Sequence, residues 1–230
     1  MSFRLSDEDA AVFAERGALR IGAALDARSL AELVRAMADR QPGQAGGRLQ
    51  GIPALRSFLA PSGPVGRLAA AVLGEATRAV RAVVFDKTAA SNWSVPWHQD
   101  RTIVVAQRLD VAGFGPWTVK SGLLHVAPPY DVLAGMATLR LHLDAVPASN
   151  APLLVAPGSH RLGRIAEADV RAVVQQCGTA VCYAEAGDVW LYATPILHAS
   201  EAAAAPAHRR VLQVDFASRE LPGGLQWLGV

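Results

Sequence analysis

Lysine is almost missing from this chain. Of its 22 basic residues only Lys87 and Lys120 are lysines, and the rest are arginines. In a sequence this rich in Ala, Gly and Arg, a coding bias accounts for the exchange. The two survivors are either residues that drift has spared or positions where a compact ammonium serves and a planar guanidinium does not. Cysteine is scarce as well. Cys177 and Cys182 make no disulfide framework, and a zinc site would need more cysteines or closely spaced histidines. A surplus of one charge is also lacking. The 22 basic and 20 acidic residues leave +2, spread along the chain, which excludes the basic footprint of a nucleic-acid binder. No apolar run reaches the ~18 residues of a membrane span. The opening Met1-Ser2-Phe3-Arg4 leads into Asp7-Glu8-Asp9 without the pattern of an export signal. The expectation is a cytoplasmic protein with reduced thiols and no nucleic-acid or membrane partner.

What is present describes a folded chain. Hydrophobic residues make up 51% and charged ones 18%, which excludes intrinsic disorder. The length of 230 residues supports one domain with a core that needs neither disulfide nor structural metal. The expected division is a helical part over 1–77 and a β-rich core over 78–220. Ser6 followed by Asp9 caps a helix over 6–16 that Gly17 stops. Ala18–Ile21 reads as a short strand. Asp26 caps a second helix, in which Leu30, Leu33, Val34 and Met37 recur at helical spacing. Gln41–Gly51 reads as a mobile loop, and Gly63–Leu73 as a third helix. Short β-rich runs follow at 79–85, 102–107, 122–126, 137–143, 153–156, 180–183, 188–192 and 210–216, with one helix near 167–177. Many short strands between turn signals suggest an antiparallel double-sheet barrel, and a jelly roll with N-terminal helices is the natural form. The mouth of such a barrel holds one metal and one small ligand.

Six histidines are available. In Ser94-Val-Pro-Trp-His-Gln-Asp100, His98 and Asp100 stand two residues apart, so on a strand they share a face. One more histidine from a distant strand would complete two imidazoles and a carboxylate. Non-haem Fe(II) oxygenases use that set because it leaves three positions open. The pattern occurs twice, however, since His142-Leu143-Asp144 repeats it, and motif counting does not choose between the copies. In Thr138–Asp144 the leucines at 139, 141 and 143 make one core face. Thr138, Arg140 and His142 make the other, which is either a site face or a solvated one. Ile196-Leu-His198-Ala-Ser200 supplies a distant histidine on a strand-like segment. Arg209 follows eleven residues later. It either caps a surface acid such as Glu201 or lies inside, where an unpaired charge is costly and a dicarboxylate would pair it.

The ordered set Lys87, Asn92-Trp93, Pro96-Trp-His98-Gln-Asp100, Trp117-Thr-Val-Lys120-Ser-Gly122, Leu139-Arg-Leu-His-Leu-Asp144, Pro157-Gly-Ser-His160, His198-Ala-Ser200 and Arg209 resembles the phytanoyl-CoA dioxygenase family. The resemblance runs over nearly the whole chain and implies a double-stranded β-helix using Fe(II), 2-oxoglutarate and dioxygen. It implies His98, Asp100 and His198 as iron ligands, which chooses the first H-x-D copy and leaves His142 structural or cavity-lining. Arg209 and Ser200 match the pair that holds the distal carboxylate of 2-oxoglutarate, and Lys87 matches a lysine near it. Pro157–His160 matches a turn of the family. Where the family has Asn-Gly-Pro, this chain has Asn150-Ala151-Pro152.

The implied activity is hydroxylation of a C–H bond in a small organic substrate, with release of succinate and carbon dioxide. Asp100 occupies the place that related halogenases give to a small residue, which disfavours halogenation. The segment 101–135 and the loop 41–51 would select the substrate, with Trp93, Arg101, Trp117 and Lys120 near the pocket. Lys120 and Arg101 would hold an anionic substrate, or Lys120 would pin a lid loop. Two alternatives remain. One is a cupin-like isomerase or hydrolase without 2-oxoglutarate chemistry, which would have no use for Arg209 with Ser200. The other is a non-catalytic binding module, which loss of a ligand would betray.

Overall fold

The computed structural model describes residues 3–37 and 46–230. Helix α1 (Asp7–Arg16) begins where the Ser6 hydroxyl accepts from the Asp9 amide at 3.0 Å. It ends at Gly17, whose left-handed φ of 72° lets its amide reach the Phe13 carbonyl. A side chain at Gly17 would also strike the His160 ring, so this glycine serves a turn and a close approach together. Strand β1 (Ala18–Ile21) follows, then α2 (Ala27–Ala36), capped by Asp26 on the Ser29 amide at 2.7 Å. Of the loop expected at 41–51, residues 41–45 lie outside the described residues. Gly47–Leu49 is not loop but strand β2. Helices α3 (Pro53–Leu59) and α4 (Gly66–Leu73) complete the first third. The sequence reading did not foresee α3, because its seven residues are too few for a helical period to stand out.

Eleven strands follow. They are β3 (Arg78–Lys87), β4 (Val95–His98), β5 (Ile103–Val104), β6 (Trp117–Lys120), β7 (Leu123–Val126), β8 (Met136–His142), β9 (Leu153–Val155), β10 (Ala180–Cys182), β11 (Val189–Ala193), β12 (His198–Ser200) and β13 (Arg209–Ala217). Helix α5 (Tyr130–Ala134) precedes β8, and α6 (Val170–Cys177) precedes β10. The larger sheet has the order β1-β11-β8-β13-β3-β2, and the smaller has β10-β9-β12-β4. All their pairings are antiparallel. This is the expected jelly roll, formed from two facing sheets rather than one closed barrel. A third sheet, β5-β7-β6, stands apart. The first third is not purely a helical layer either, since β1 and β2 form the two edges of the larger sheet.

The alternation of β8 decides how the layers stack. Leu139 and Leu141 meet Leu212, Val214 and Phe216 of β13 and pack under Leu33, Leu55, Phe58 and Leu68 of the helices. Each such buried side chain contributes roughly 1.5–3 kcal/mol. The opposite faces of the same strands therefore point between the sheets, where Tyr192, Leu153, Val155 and Ile196 form a small core. The polar residues Thr138, Arg140, His142, Gln213 and Asp215 have only that interior to occupy, and all are buried. No helix among the described residues is long and apolar enough to cross a membrane.

Candidate active site

The pairing of β4 with β12 sets His98 directly opposite His198, with ring centres 4.3 Å apart. Strand β4 ends at His98, yet the expected two-residue alternation carries on. Gln99 turns the other way, donating to the Gly163 and Pro195 carbonyls and accepting from the Ile165 amide. Asp100 is thereby returned to the face of His98. One ligand atom from each of His98, Asp100 and His198 falls within 4.8 Å of the others. The Nδ1 atoms lie 2.8 Å and 2.9 Å from the carbonyls of Pro96 and Ile196 respectively. A carbonyl only accepts, so Nδ1 carries the hydrogen in both rings and Nε2 keeps its lone pair. Burial pushes the His198 imidazole down to about 4, so it is neutral at physiological pH. The Ser159 hydroxyl accepts from the Leu197 amide at 2.9 Å, and Gly158 donates to the Arg16 carbonyl. The turn 157–160 thus ties β12 to the end of α1.

Arg81 supports the carboxylate. Its Nη2 lies 3.2 Å from Asp100 and its Nε 2.5 Å from Asp215, which also accepts from Thr138 at 3.0 Å. Burial opposes the charge of Asp100, but Arg81 and the two histidines outweigh it and hold the carboxyl below its usual range. Burial likewise opposes the charge of Arg81, and Asp215 and Asp100 together raise it above its ordinary value. The two acids are bridged by one guanidinium.

From the triad a cavity of about 360 Å³ runs between the sheets, within the usual range for a small-molecule site. At its far end Lys87 and Arg209 converge on Ser200, at 3.0 Å and 3.4 Å. Lys87 also donates to the Glu201 carbonyl and lies over the Trp93 ring. Arg209 is 2% exposed and donates to the Ala151 carbonyl. Ala151 adopts a left-handed φ of 50°, a conformation glycine takes more readily, at the place where the family pattern has glycine. Arg140 stands near Lys87 and Arg209, bonded to Gln213 at 3.0 Å. Burial, then Arg209 and Arg140, push Lys87 down to about 7. Burial and Arg140 push Arg209 down to about 9. Three cations crowd this end, and none of them forms an ion pair with a carboxylate among the described residues. A wider surface hollow of about 630 Å³, lined by Arg4, Arg67 and Glu75, shares no residue with the cavity.

The structure separates the two H-x-D copies. Asp144 binds Arg210, at 2.6 Å and 3.0 Å, outside the cavity. His142 lies inside the fold, 1% exposed and with neither ring nitrogen paired, but is not among the residues that line the cavity. Of the residues expected near a substrate, Trp93 lines the cavity. Arg101 does not; it turns to the Ile165 carbonyl and Glu167. Trp117 packs under Arg108 instead, and Lys120 is exposed at the tip of the β6–β7 hairpin. Arg48, Arg81, Gln213 and Asp215 were not anticipated, and Arg140 belonged to a strand face left open between site and solvent. A signal existed for Arg81 and Arg140, which are charged residues on the inward phase of strands whose other face is apolar.

Two histidines and one carboxylate at one end of a jelly-roll cavity are the arrangement that non-haem iron oxygenases use. The family model for phytanoyl-CoA dioxygenase (PhyH) matches residues 13–211, and the chain belongs to this family. No curated protein matches it. Among solved structures it is similar to EctD from S. alaskensis with 2-oxoglutarate and 5-hydroxyectoine, at 17% identity and a TM-score of 0.70, over 93% of this chain and 76% of that one. It is also similar to the epimerase SnoN in complex with Fe3+, alpha ketoglutarate and nogalamycin RO, at 18% identity and a TM-score of 0.68, over 95% and 90% of the two chains. The carbocyclase SnoK from nogalamycin biosynthesis matches at 17% identity and a TM-score of 0.65, over 92% and 83%. These likenesses are of fold.

Proposed function

We propose that the protein is an iron(II)- and 2-oxoglutarate-dependent dioxygenase that hydroxylates a C–H bond of a small organic substrate. The observation that carries this reading is the cavity itself, with a two-histidine, one-carboxylate triad at one end and unneutralised cations at the other. The donors suit the metal. Both histidines have Nδ1 committed to carbonyls, and Asp100 is held ionised, so His98, Asp100 and His198 offer two imidazole Nε2 atoms and an anionic oxygen. Arg209, Ser200 and Lys87 suit the distal carboxylate of a dicarboxylate, which would relieve the repulsion among Lys87, Arg209 and Arg140. Bound iron and 2-oxoglutarate, with dioxygen, supply the oxidising chemistry and yield succinate and carbon dioxide beside the hydroxylated product.

The protein's own work is positional. Pro96 and Ile196 fix the imidazoles, Arg81 fixes Asp100, and Arg209 with Ser200 sets how far the cosubstrate reaches toward the triad. The apolar rings of Phe85 and Trp93 on the cavity wall exclude water from the rest of the path. A cupin-like isomerase or hydrolase would leave the three cations at the far end without a task.

The deciding experiment supplies Fe(II), 2-oxoglutarate and a substrate panel, then reads succinate release and product mass together. Substrate-stimulated succinate with a product that has gained one oxygen atom supports hydroxylation. Succinate with an isomeric or ring-closed product assigns the same site a different outcome. If no 2-oxoglutarate is bound or consumed by the reduced, iron-loaded protein, the reading is refuted.

A further inference from the structure

Four guanidiniums, those of Arg48, Arg81, Arg140 and Arg209, line the cavity, and the one carboxylate among the lining residues is Asp100. The cofactors of the reading above do not correct this imbalance, because a divalent metal and a doubly charged cosubstrate cancel one another. Three of the four arginines are accounted for. Arg81 is neutralised by Asp100 and Asp215. Arg209 and Arg140 stand at the end assigned to the distal carboxylate. Arg48 remains.

Arg48 comes from β2, the edge strand that pairs with β3 beside Val83. Its Nη1 donates to the Ser121 hydroxyl at 2.6 Å. Ser121 sits in the turn of the β6–β7 hairpin with a left-handed φ of 51°, next to Lys120. The Nε of Arg48 is buried without a partner, and no acid forms an ion pair with Arg48 among the described residues. On the neighbouring β7, His125 is fully buried and its Nε2 also lacks a partner. Burial, then the charges of Arg81, Arg48 and Lys120, push that imidazole down to about 4. A neutral histidine adds no charge of its own and reports the positive field in which it lies. This side of the cavity is therefore cationic and partly desolvated, and its guanidinium has no acid paired with it among the described residues.

We propose that the organic substrate is an anion whose carboxylate or phosphate group docks on the guanidinium of Arg48 where it lines the cavity. The inference rests on the oxygenase reading of the site, and it gives that reading a substrate class. Ser121 holds one arm of the guanidinium, so the group is pre-oriented for the charge-assisted hydrogen bonds that carboxylates and phosphates accept. Arg101, the other basic residue anticipated for this task, has turned to Ile165 and Glu167 and takes no part.

The test uses protein loaded with Mn(II) and N-oxalylglycine, so that the triad and the far end are both occupied. Acetate, benzoate, phenyl phosphate and the neutral benzamide are then titrated by calorimetry at low salt. At least one anion should bind about tenfold or more tighter than benzamide, the scale of one charge-assisted hydrogen-bonded contact. Arg48→Gln should remove the difference, and Arg48→Lys should restore part of it. The better of benzoate and phenyl phosphate identifies the preferred group. Benzamide binding as tightly as the anions, no anion binding at millimolar concentration, or unchanged anion affinity in Arg48→Gln would each overturn the proposal. Failure of the unmodified protein to bind N-oxalylglycine with Mn(II) would instead refute the oxygenase reading, so the two failures are distinct.

Discussion

Lys87 and Arg209 stand directly opposite one another on the paired strands β3 and β13, and both reach the single hydroxyl of Ser200. Like charges opposite each other across a ladder repel. Here both are fully or nearly fully buried, and a third cation, Arg140, lowers the proton affinity of each. The arrangement stores a demand for an anion at this end of the cavity.

That demand makes Arg209 the most direct probe of the cosubstrate. Removing one partner of a buried charged pair typically costs ~2–5 kcal/mol. Arg209→Ala should weaken 2-oxoglutarate binding by at least tenfold while Fe(II) still binds. Arg210 faces away and holds Asp144, so Arg210→Ala should leave the cosubstrate affinity close to that of the parent. Parallel titrations of the two variants check both statements, and the reverse pattern would mean the dicarboxylate lies on the other face.

The triad makes a spectroscopic prediction. Anaerobic Fe(II) and 2-oxoglutarate should give the protein a weak visible charge-transfer band, and His198→Ala should abolish it. His142→Leu should retain it. His142 is inside the fold but makes no hydrogen bond to the triad, and burial, then Arg140 and Arg209, push its imidazole down to about 3. If the band survives in His198→Ala and vanishes in His142→Leu, the ligand set is wrong.

Lys87 makes stability depend on pH in a stated direction. Its folded value, about 7, lies below the ordinary lysine value of 10.5. The unfolded chain therefore binds the extra proton between these limits, and stability rises with pH across that window. The penalty is full below pH ~7 and gone above pH ~10.5. Replacing Lys87 with Met should raise the melting temperature, relative to the parent, more at pH 6.5 than at pH 9.5. Melting curves of the ligand-free proteins measure the difference. A difference that does not change with pH would show that Lys87 keeps its ordinary proton affinity in the fold.

Arg81 and Asp215 form a buried pair whose halves should not be separable. Arg81→Met leaves Asp215 unpaired and should cost ~3–5 kcal/mol. Adding Asp215→Leu to Arg81→Met should return much of that loss. Metal affinity should not return with it, because Asp100 has lost the guanidinium that orients it, and such supporting contacts are typically worth 10–100-fold. Urea denaturation and metal titration of the single and double variants separate the two effects.

Much of the local structure was legible in the sequence, because it depends on neighbours in the chain. Ser6 and Asp26 cap the first two helices because a short oxygen side chain reaches an amide three residues on. The leucines at 139, 141 and 143 fix the phase of β8 and set Thr138, Arg140 and His142 together on its other face, which only the facing sheet made an interior one. Alternation likewise separates Arg209 from Arg210. The ordered motifs pointed to His98, Asp100, His198, Ser200 and Arg209, and the fold brings these five side chains onto one cavity.

Tertiary structure decided what depends on pairing across the chain. From local spacing the two H-x-D segments are equivalent. They differ because β4 lies beside β12, whereas the turn after β8 meets Arg210. Arg101, Trp117 and Lys120 were plausible cavity residues by their place in the sequence, but each side chain found its partner or its solvent elsewhere. Arg48 lay in a stretch that reads as loop, and three residues of it became an edge strand only because β3 offered an unpaired edge. Cross-strand register sets which charges meet in the interior, and register is a property of distant segments packed together, which no single stretch of sequence records.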